Sequence, residues 1–456
     1  MSDSVSAGQT APDRREVRLV VASSVVGTTV EWYDFFLYGT AAGIIFNRFY
    51  FPSDDPLVGT LLAFATFALG FVARPVGGLI FGHIGDRIGR KKTLVATMLI
   101  MGVATCAIGL IPTYDSIGTA APILLVLMRL AQGVAIGGEW GGAVLMSVEY
   151  APKGRRGLYG SFPQLGLALG LVLGTGVFAG LGAMMDEAAF LSWGWRIAFL
   201  LSAVLVIAGM VIRLKVMETP AFRQLEQTEA KATVPALELV RNKLSRRHVL
   251  LGMGSRWIEG VAFNTWAVFS ISFGAGTLEM PQQTLLISVM IAALMMVVFI
   301  PLFGRLSDTV GRRALFGWGA LIAGVVAYPA LALLGTGTPV LAGVGLVLAL
   351  GVLYPMMYGP QAAFYSEMFP VNVRCTGISF VYQFSGIFAS GLTPLVLSYL
   401  VGLDNDGYSL VAIYLVVAAV ISAVCTFAVR KQDLLRIAEA EQSDLDARAA
   451  TTPTSA

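Results

Sequence analysis

Twelve apolar runs, most of them 18 residues or longer, follow one another along this chain and leave it few folds to choose from. A run of that length crosses about 30 Å of hydrocarbon as a helix. With no water at that depth, each backbone polar group must be satisfied within its own segment, which an α-helix does. The runs lie near 19–46, 57–83, 93–111, 121–149, 158–183 and 192–212. The second set lies near 249–276, 282–303, 314–335, 339–367, 375–400 and 408–429. A large soluble core is the competing explanation, but it requires helices with one polar face. Only 13% of the residues are charged and 56% are hydrophobic, whereas soluble domains carry about 25% charge. The expected fold class is an all-α polytopic membrane protein with twelve transmembrane helices in two six-helix pseudo-repeats.

The runs divide the chain into an N-terminal tail (1–18), a six-helix bundle (19–212), a polar linker (213–248), a second six-helix bundle (249–429) and a C-terminal tail (430–456). The polar start makes the first apolar run a retained span rather than a cleaved signal. Basic residues set the expected topology. Arg87, Arg90, Lys91, Lys92, Lys153, Arg155, Arg156, Arg305, Arg312, Arg313 and Arg374 fall on one side, together with the basic linker. The other side holds Arg48 against Asp54, Asp55, Asp115, Asp186, Glu187, Glu279, Asp404 and Asp406. Such a bias places the basic side, and both termini, in the cytoplasm. Arg196 is the exception. It follows Trp193 and Trp195, an interfacial pattern that predicts an arginine reaching for lipid headgroups. Cys106, Cys375 and Cys425 show no paired spacing and read as small apolar residues.

One loop is written twice. Gly82, Asp86, Arg87, Gly89 and Arg90 follow the second span, and Gly304, Asp308, Gly311 and Arg312 follow the eighth. A second echo pairs Glu149, Pro152 and Arg155 with Glu367, Pro370 and Arg374. The matching acids lie 222 and 218 residues apart. Two six-span halves related along the membrane normal are a known architecture of secondary transporters. The aspartate of each loop can accept from the unpaired N–H groups at a neighbouring helix start. The arginines can bridge to Glu149 or Glu367. A latch that holds one face shut is the expectation. Orientation alone explains the basic residues, but not the retained aspartates.

These loops resemble the signature of the major facilitator superfamily. Further stretches resemble its metabolite:proton symporter family: Glu31, Trp32, Tyr33, Asp34, Tyr38 and Gly39; Arg74, Pro75, Gly77 and Gly78; Arg129, Gln132 and Gly133; Gly137 to Gly142 around Glu139; and Trp193 to Arg196. The resemblance covers nearly the whole chain, and its first half is most similar to shikimate carriers. It implies the major facilitator fold and a cargo such as shikimate, 2-oxoglutarate, citrate, or proline and betaine. The Gly-Pro pattern of drug antiporters is missing from the fifth span, where Pro163 precedes Gly166, Gly170 and Gly174.

Ionisable groups at membrane depth cost several kcal/mol unless paired or hydrated, and so mark function. Asp34, Glu31 and Glu139 are the candidates for proton coupling. Glu31, Asp34 and Tyr38 are spaced to share one helix face. Arg129 and Gln132 share another, suited to a bidentate grip on a carboxylate. Arg256 precedes Glu259 by three residues, a spacing for a local ion pair. Shifting Asp34 by the repeat interval lands on Arg256, so the halves are expected to set opposite charges across one cavity. Arg74 lies beside Pro75, and Glu139 lies between paired glycines; both suit close helix packing as well as substrate contact. Tyr354, Tyr358 and Gln361, with Asn264, offer hydroxyls and amides to a polar substrate.

Enzyme signals are absent, as is the Lys-Ser/Thr of a phosphate-binding loop. The expectation is a carrier and not an enzyme, with no catalytic or metal site and no cofactor except a proton as coupling ion. Its partners are a small organic acid and the lipid bilayer of a bacterial inner membrane; nucleic acid is not among them, and a monomer is expected. The expected activity is proton-coupled uptake of that acid by alternating access. Uptake of a zwitterion, uncoupled export and facilitated diffusion remain alternatives.

Overall fold

The computed structural model describes the chain from Arg14 to Thr451, apart from Gly89, most of 138–150, Lys153, most of 218–240 and Asp406. Every regular element among the described residues is helical. The first half comprises α1 (14–49), α2 (Pro56–Ile88), α3 (Arg90–Leu110), α4 (beginning Ala120–Ile136), α5 (Arg156–Met184) and α6 (187–217). The second comprises α7 (243–276), α8 (Gln282–Val310), α9 (Arg312–Gly335), α10 (Pro339–Glu367), α11 (371–403) and α12 (Ser409–Ala428). A further helix, α13 (Lys431–Thr451), follows. Among the described residues, eight helices meet the length and hydropathy needed to cross a membrane.

Several helix starts explain polar residues in the short loops. Asp55 Oδ1 accepts from the Leu57 N–H at 2.9 Å. Asp186 Oδ1 accepts from Ala189 N–H at 2.6 Å, and Asp404 Oδ2 accepts from Ser409 N–H at 2.7 Å. These caps satisfy N–H groups that have no partner within the helix. Arg196 does not reach outward for headgroups. Its guanidinium donates to the carbonyls of Gly109 and Ile111, at 2.9 and 2.7 Å, and so closes the C-terminal end of α3.

The linker boundaries also shift. Apolar character stops near 212, but α6 runs on to Met217. At the other side, Asn242 Oδ1 caps α7, accepting from Leu244 N–H at 2.9 Å, so that helix starts at Lys243 and not near 249. Charge ends hydrophobicity without ending a helix. The C-terminal tail is helical too, tied to the start of α7 by Arg247 and Asp433 at 3.2 Å.

The repeat is visible in local geometry. π turns occupy 42–46 in α1 and 265–269 in α7, 223 residues apart and so within one residue of the loop interval. Such turns are rare and often fall at functional sites. Among the described residues the halves meet along several helix pairs, α1–α7, α2–α11 and α5–α8 among them. A Cβ built on Gly43 of α1 would lie 2.9 Å from the Ser272 Cβ of α7, and one on Gly391 of α11 2.8 Å from the Phe71 Cβ of α2. At the end bearing the duplicated loops, a Cβ on Gly157 of α5 would lie 2.4 Å from the Gly304 carbonyl of α8. The halves thus touch at both ends of the seam.

Candidate functional site

Between the halves lies a small cavity lined by Glu31, Trp32, Phe35, Arg74, Ile136, Tyr382 and Gln383. Gln383 of α11 donates to the Gly137 carbonyl of α4 at 3.0 Å, a direct bond between the halves beside it. Arg74 reaches this cavity because α2 and α4 lie almost backbone to backbone. A Cβ on Gly77 would come within 1.9 Å of the Val134 carbonyl, and one on Gly137 within 1.9 Å of the Arg74 carbonyl. Small residues permit such an approach in a membrane bundle.

Arg74 and Arg129 are both buried, and among the described residues neither makes an ion pair. Aromatic faces receive them instead. The Arg74 guanidinium lies 4.2 Å from the centre of the Phe71 ring and 5.1 Å from that of Phe35. Arg129 lies 4.2 Å from the Tyr38 ring centre and 5.0 Å from that of Phe67. A cation–π contact offsets part of a desolvated cation's cost and leaves its hydrogen-bond donors uncommitted.

Asp34 is buried inside the first half. Its Oδ1 accepts from Ser202 Oγ of α6 at 2.5 Å, and its Oδ2 from Thr105 Oγ1 of α3 at 2.9 Å. Arg129 donates to Gln132 Oε1 at 3.1 Å, and Gln132 Nε2 donates to Thr105 Oγ1 at 2.7 Å. The carboxylate and the guanidinium thus sit at the two ends of one hydrogen-bonded chain. Glu31, Asp34 and Tyr38 lie on one side of α1 but meet different neighbours. Glu31 lines the seam cavity, Asp34 points to α3 and α6, and Tyr38 donates to Thr66 of α2 at 2.7 Å. For the same reason Asp34 does not oppose Arg256 across a cavity. Several helices pack along this side of α1, so residues a few positions apart meet different partners.

In the second half Arg256 and Glu259 approach to 3.2 Å, off the direction of a hydrogen bond. Glu259 also accepts from Tyr354 at 2.5 Å and from Gln361 at 3.2 Å. Arg256 donates to Ser385 Oγ at 3.1 Å and lies 3.8 Å from the centre of the Tyr382 ring, which joins it to the seam cavity. Tyr358 stacks on Tyr354 at 5.3 Å, and Asn264 donates to the Gly260 carbonyl of its own helix at 2.9 Å.

At the loop end Asp308 accepts from the backbone N–H groups of Gly157 and Leu158, at 2.7 and 3.0 Å, across the seam at the start of α5. Arg312 bonds Asp308 at 2.7 Å and also bonds Glu367. Gly311 joins α8 to α9 at φ +98°, a conformation that favours glycine. Arg155 is exposed just before α5, and Arg374 is buried and donates to the Phe369 carbonyl at 3.1 Å. Gly89, Glu139 and Glu149 lie outside the described residues, as do the surroundings of Gly82, Asp86, Arg87 and Arg90.

Thr105, Ser202, Tyr382 and Gln383 were not singled out by sequence reasoning. Hydroxyls are common in these helices and mostly bond their own i−4 carbonyl, as Thr175 does to Leu171 at 2.6 Å. No sequence signal separates the few that turn to a carboxylate.

Comparison with known proteins agrees with this architecture. Residues 25–394 match the family model of the Major Facilitator Superfamily. The chain is 39% identical to the inner membrane metabolite transport protein YhjE of Escherichia coli, over 91% of this chain and 95% of that protein. It is 37% identical to the shikimate transporter of the same organism, over 89% and 93%. It is 34% identical to that organism's proline/betaine transporter, over 90% and 83%. A crystal structure of a D-xylose-proton symporter shares the fold, with a TM-score of 0.69 at 18% identity, covering 91% of this chain and 97% of that one. These matches show that the chain belongs to the Major Facilitator Superfamily, among its metabolite transporters, and is not an enzyme.

Proposed function

We propose that this protein takes up a small organic acid together with a proton, by rocking its two halves about the seam cavity. The observation that carries this reading is the pair of buried guanidiniums, Arg74 and Arg129, which rest on aromatic rings and make no ion pair among the described residues. Such donors are ready for a substrate carboxylate, and Arg256 approaches the same cavity through Tyr382. Asp34 supplies the coupling group in this reading: hydroxyls hold it, no cation among the described residues pairs with it, and a proton there removes a buried charge. The likeness to a shikimate transporter supports an organic acid as cargo. The proposed working form is a monomer in the inner membrane, with both termini and the duplicated loops in the cytoplasm and no cofactor besides the proton.

The test is transport in proteoliposomes, with shikimate, its methyl ester and betaine as probes. A hydrogen bond to a charged group contributes about 1.5–3 kcal/mol, roughly ten- to a hundred-fold in affinity. Arg74→Ala is expected to raise KM for shikimate by that factor and to leave its uncharged methyl ester, which has no carboxylate, much less affected. Equal losses for shikimate and its ester contradict an anion site.

A second reading rests on Glu31, which lines the cavity beside Arg74 with Trp32, Phe35 and Tyr382. A carboxylate, a guanidinium and aromatic rings together suit a zwitterion such as betaine. In that case Glu31→Gln weakens betaine transport and spares shikimate.

A further inference from the structure

The hydrogen bonds around Asp34 have a direction that no hydrogen position needs to be assumed to fix. A guanidinium only donates, so the Gln132 oxygen must face Arg129 and its NH2 must face Thr105. Thr105 Oγ1 therefore accepts from Gln132, and its single proton must go elsewhere. Two acceptors stand equally far from it: Asp34 Oδ2 and the Met101 carbonyl, each at 2.9 Å. Ionised Asp34 takes that proton, because a hydrogen bond to a charged acceptor is about twice as strong as one between neutral groups. The wire then runs from Arg129 through Gln132 and Thr105 to a carboxylate, and each bond polarises the next. Protonated Asp34 instead donates to one of its two hydroxyls. When it donates to Thr105, the Thr105 proton turns to Met101, and the wire no longer ends on an anion.

Resting on the reading of Asp34 as the coupling site, we infer that Thr105 and Gln132 form a hydrogen-bond wire through which a proton on Asp34 releases Arg129 to bind an anionic substrate. Thr105 is a positioning residue in this scheme. One proton joins Asp34 on loading and leaves it on release, and no other bond is made or broken.

The surroundings limit what else can transmit the change. Every member of the wire is at least 98% buried. Among the described residues, the other titratable or charged groups near Asp34 are Glu31 and Tyr33 on α1 and Cys106 on α3. Tyr33 is committed to the Ala198 carbonyl at 2.8 Å. Arg74 on α2 faces the seam, α6 presents Ser202, and α5 carries no charged side chain between Leu165 and Met184. Gly70 leaves room beside the guanidinium: a Cβ there would lie 2.5 Å from Arg129 Nε, which has no hydrogen-bond partner.

The experiment measures shikimate affinity of the purified full chain between pH 6 and pH 8 for wild type, Thr105→Val, Thr105→Ser and Asp34→Asn. Single-proton linkage limits the change to about tenfold per pH unit. Wild type is expected to bind more tightly as pH falls. Thr105→Val has nearly the same shape but no hydroxyl; it is expected to lose the slope and to bind at pH 8 about as tightly as wild type at pH 6. Thr105→Ser is expected to restore the slope. A gain of affinity at alkaline pH is not what a merely damaged fold produces. A wild-type slope retained in Thr105→Val overturns the wire while leaving Asp34 as the coupling site, provided Asp34→Asn is flat. A slope retained in Asp34→Asn overturns both, as does a wild type with no slope.

Discussion

At the scale of single residues, the chain treats its buried charges in two ways. Arg74 and Arg129 rest on aromatic rings, whereas Arg256 is matched to Glu259, which Tyr354 and Gln361 also bond. The matched pair is expected to respond like other buried ion pairs, where removing one partner costs about 3–5 kcal/mol and removing both costs much less. Glu259→Gln is therefore expected to lower the thermal unfolding temperature sharply, and Arg256→Gln in addition to recover most of the loss. Additive losses in the double variant contradict the pairing. This pair was legible in sequence because three residues separate its members on one helix. The neighbourhood of Asp34 was not legible, since its partners come from α3 and α6, 71 and 168 residues away. Periodicity along α1 names the face of a residue, but not which of several packed helices that face meets.

At the scale of helices, glycine decides how closely two spans approach. Gly77 and Gly78 are neighbours in α2 with unequal surroundings: a Cβ would lie 1.9 Å from the Val134 carbonyl at the first and 3.2 Å from the Gly137 carbonyl at the second. Overpacking a tight contact typically costs about 1–3 kcal/mol, and backbone against backbone has little room to relax. Gly77→Ala is expected to reduce folded yield and thermal stability well beyond Gly78→Ala. Equal effects would show that α2 and α4 separate freely. Apolar length located these helices, and the paired glycines marked α2 and α4 as close-packed. Apolar length misplaced the ends of α6 and α7, where polar residues continue a helix stabilised by its own backbone and by the Asn242 cap.

At the scale of the molecule, the halves touch at both ends of the seam with a small cavity between, and alternating access requires each end to open in turn. Gly157 and Gly43 seal opposite ends of the seam, against Gly304 and Ser272. Spin-label distances across each end are expected to lengthen at the loop end in Gly157→Val and at the far end in Gly43→Val. Lengthening at the same end in both variants contradicts rocking. Asp308 strengthens the loop-end seal by accepting two backbone N–H groups from α5, and Asp308→Asn is expected to shift the same distances as Gly157→Val, to a smaller extent. The duplicated loop showed this seam in the sequence because one aspartate recurs after a fixed interval. Cargo chemistry was less legible: Tyr382 and Gln383 reach the cavity from α11, and nothing in their spacing distinguishes them from ordinary membrane filling.

The central claim is that Asp34 couples substrate movement to a proton. Its most direct test is shikimate uptake into proteoliposomes under an imposed pH gradient, acid outside, for wild type and Asp34→Asn. Wild type is expected to accumulate shikimate above its external concentration. Asp34→Asn is expected to equilibrate without accumulating, and to keep partial exchange of internal for external shikimate. Gradient-driven accumulation by Asp34→Asn at the wild-type level would contradict the account.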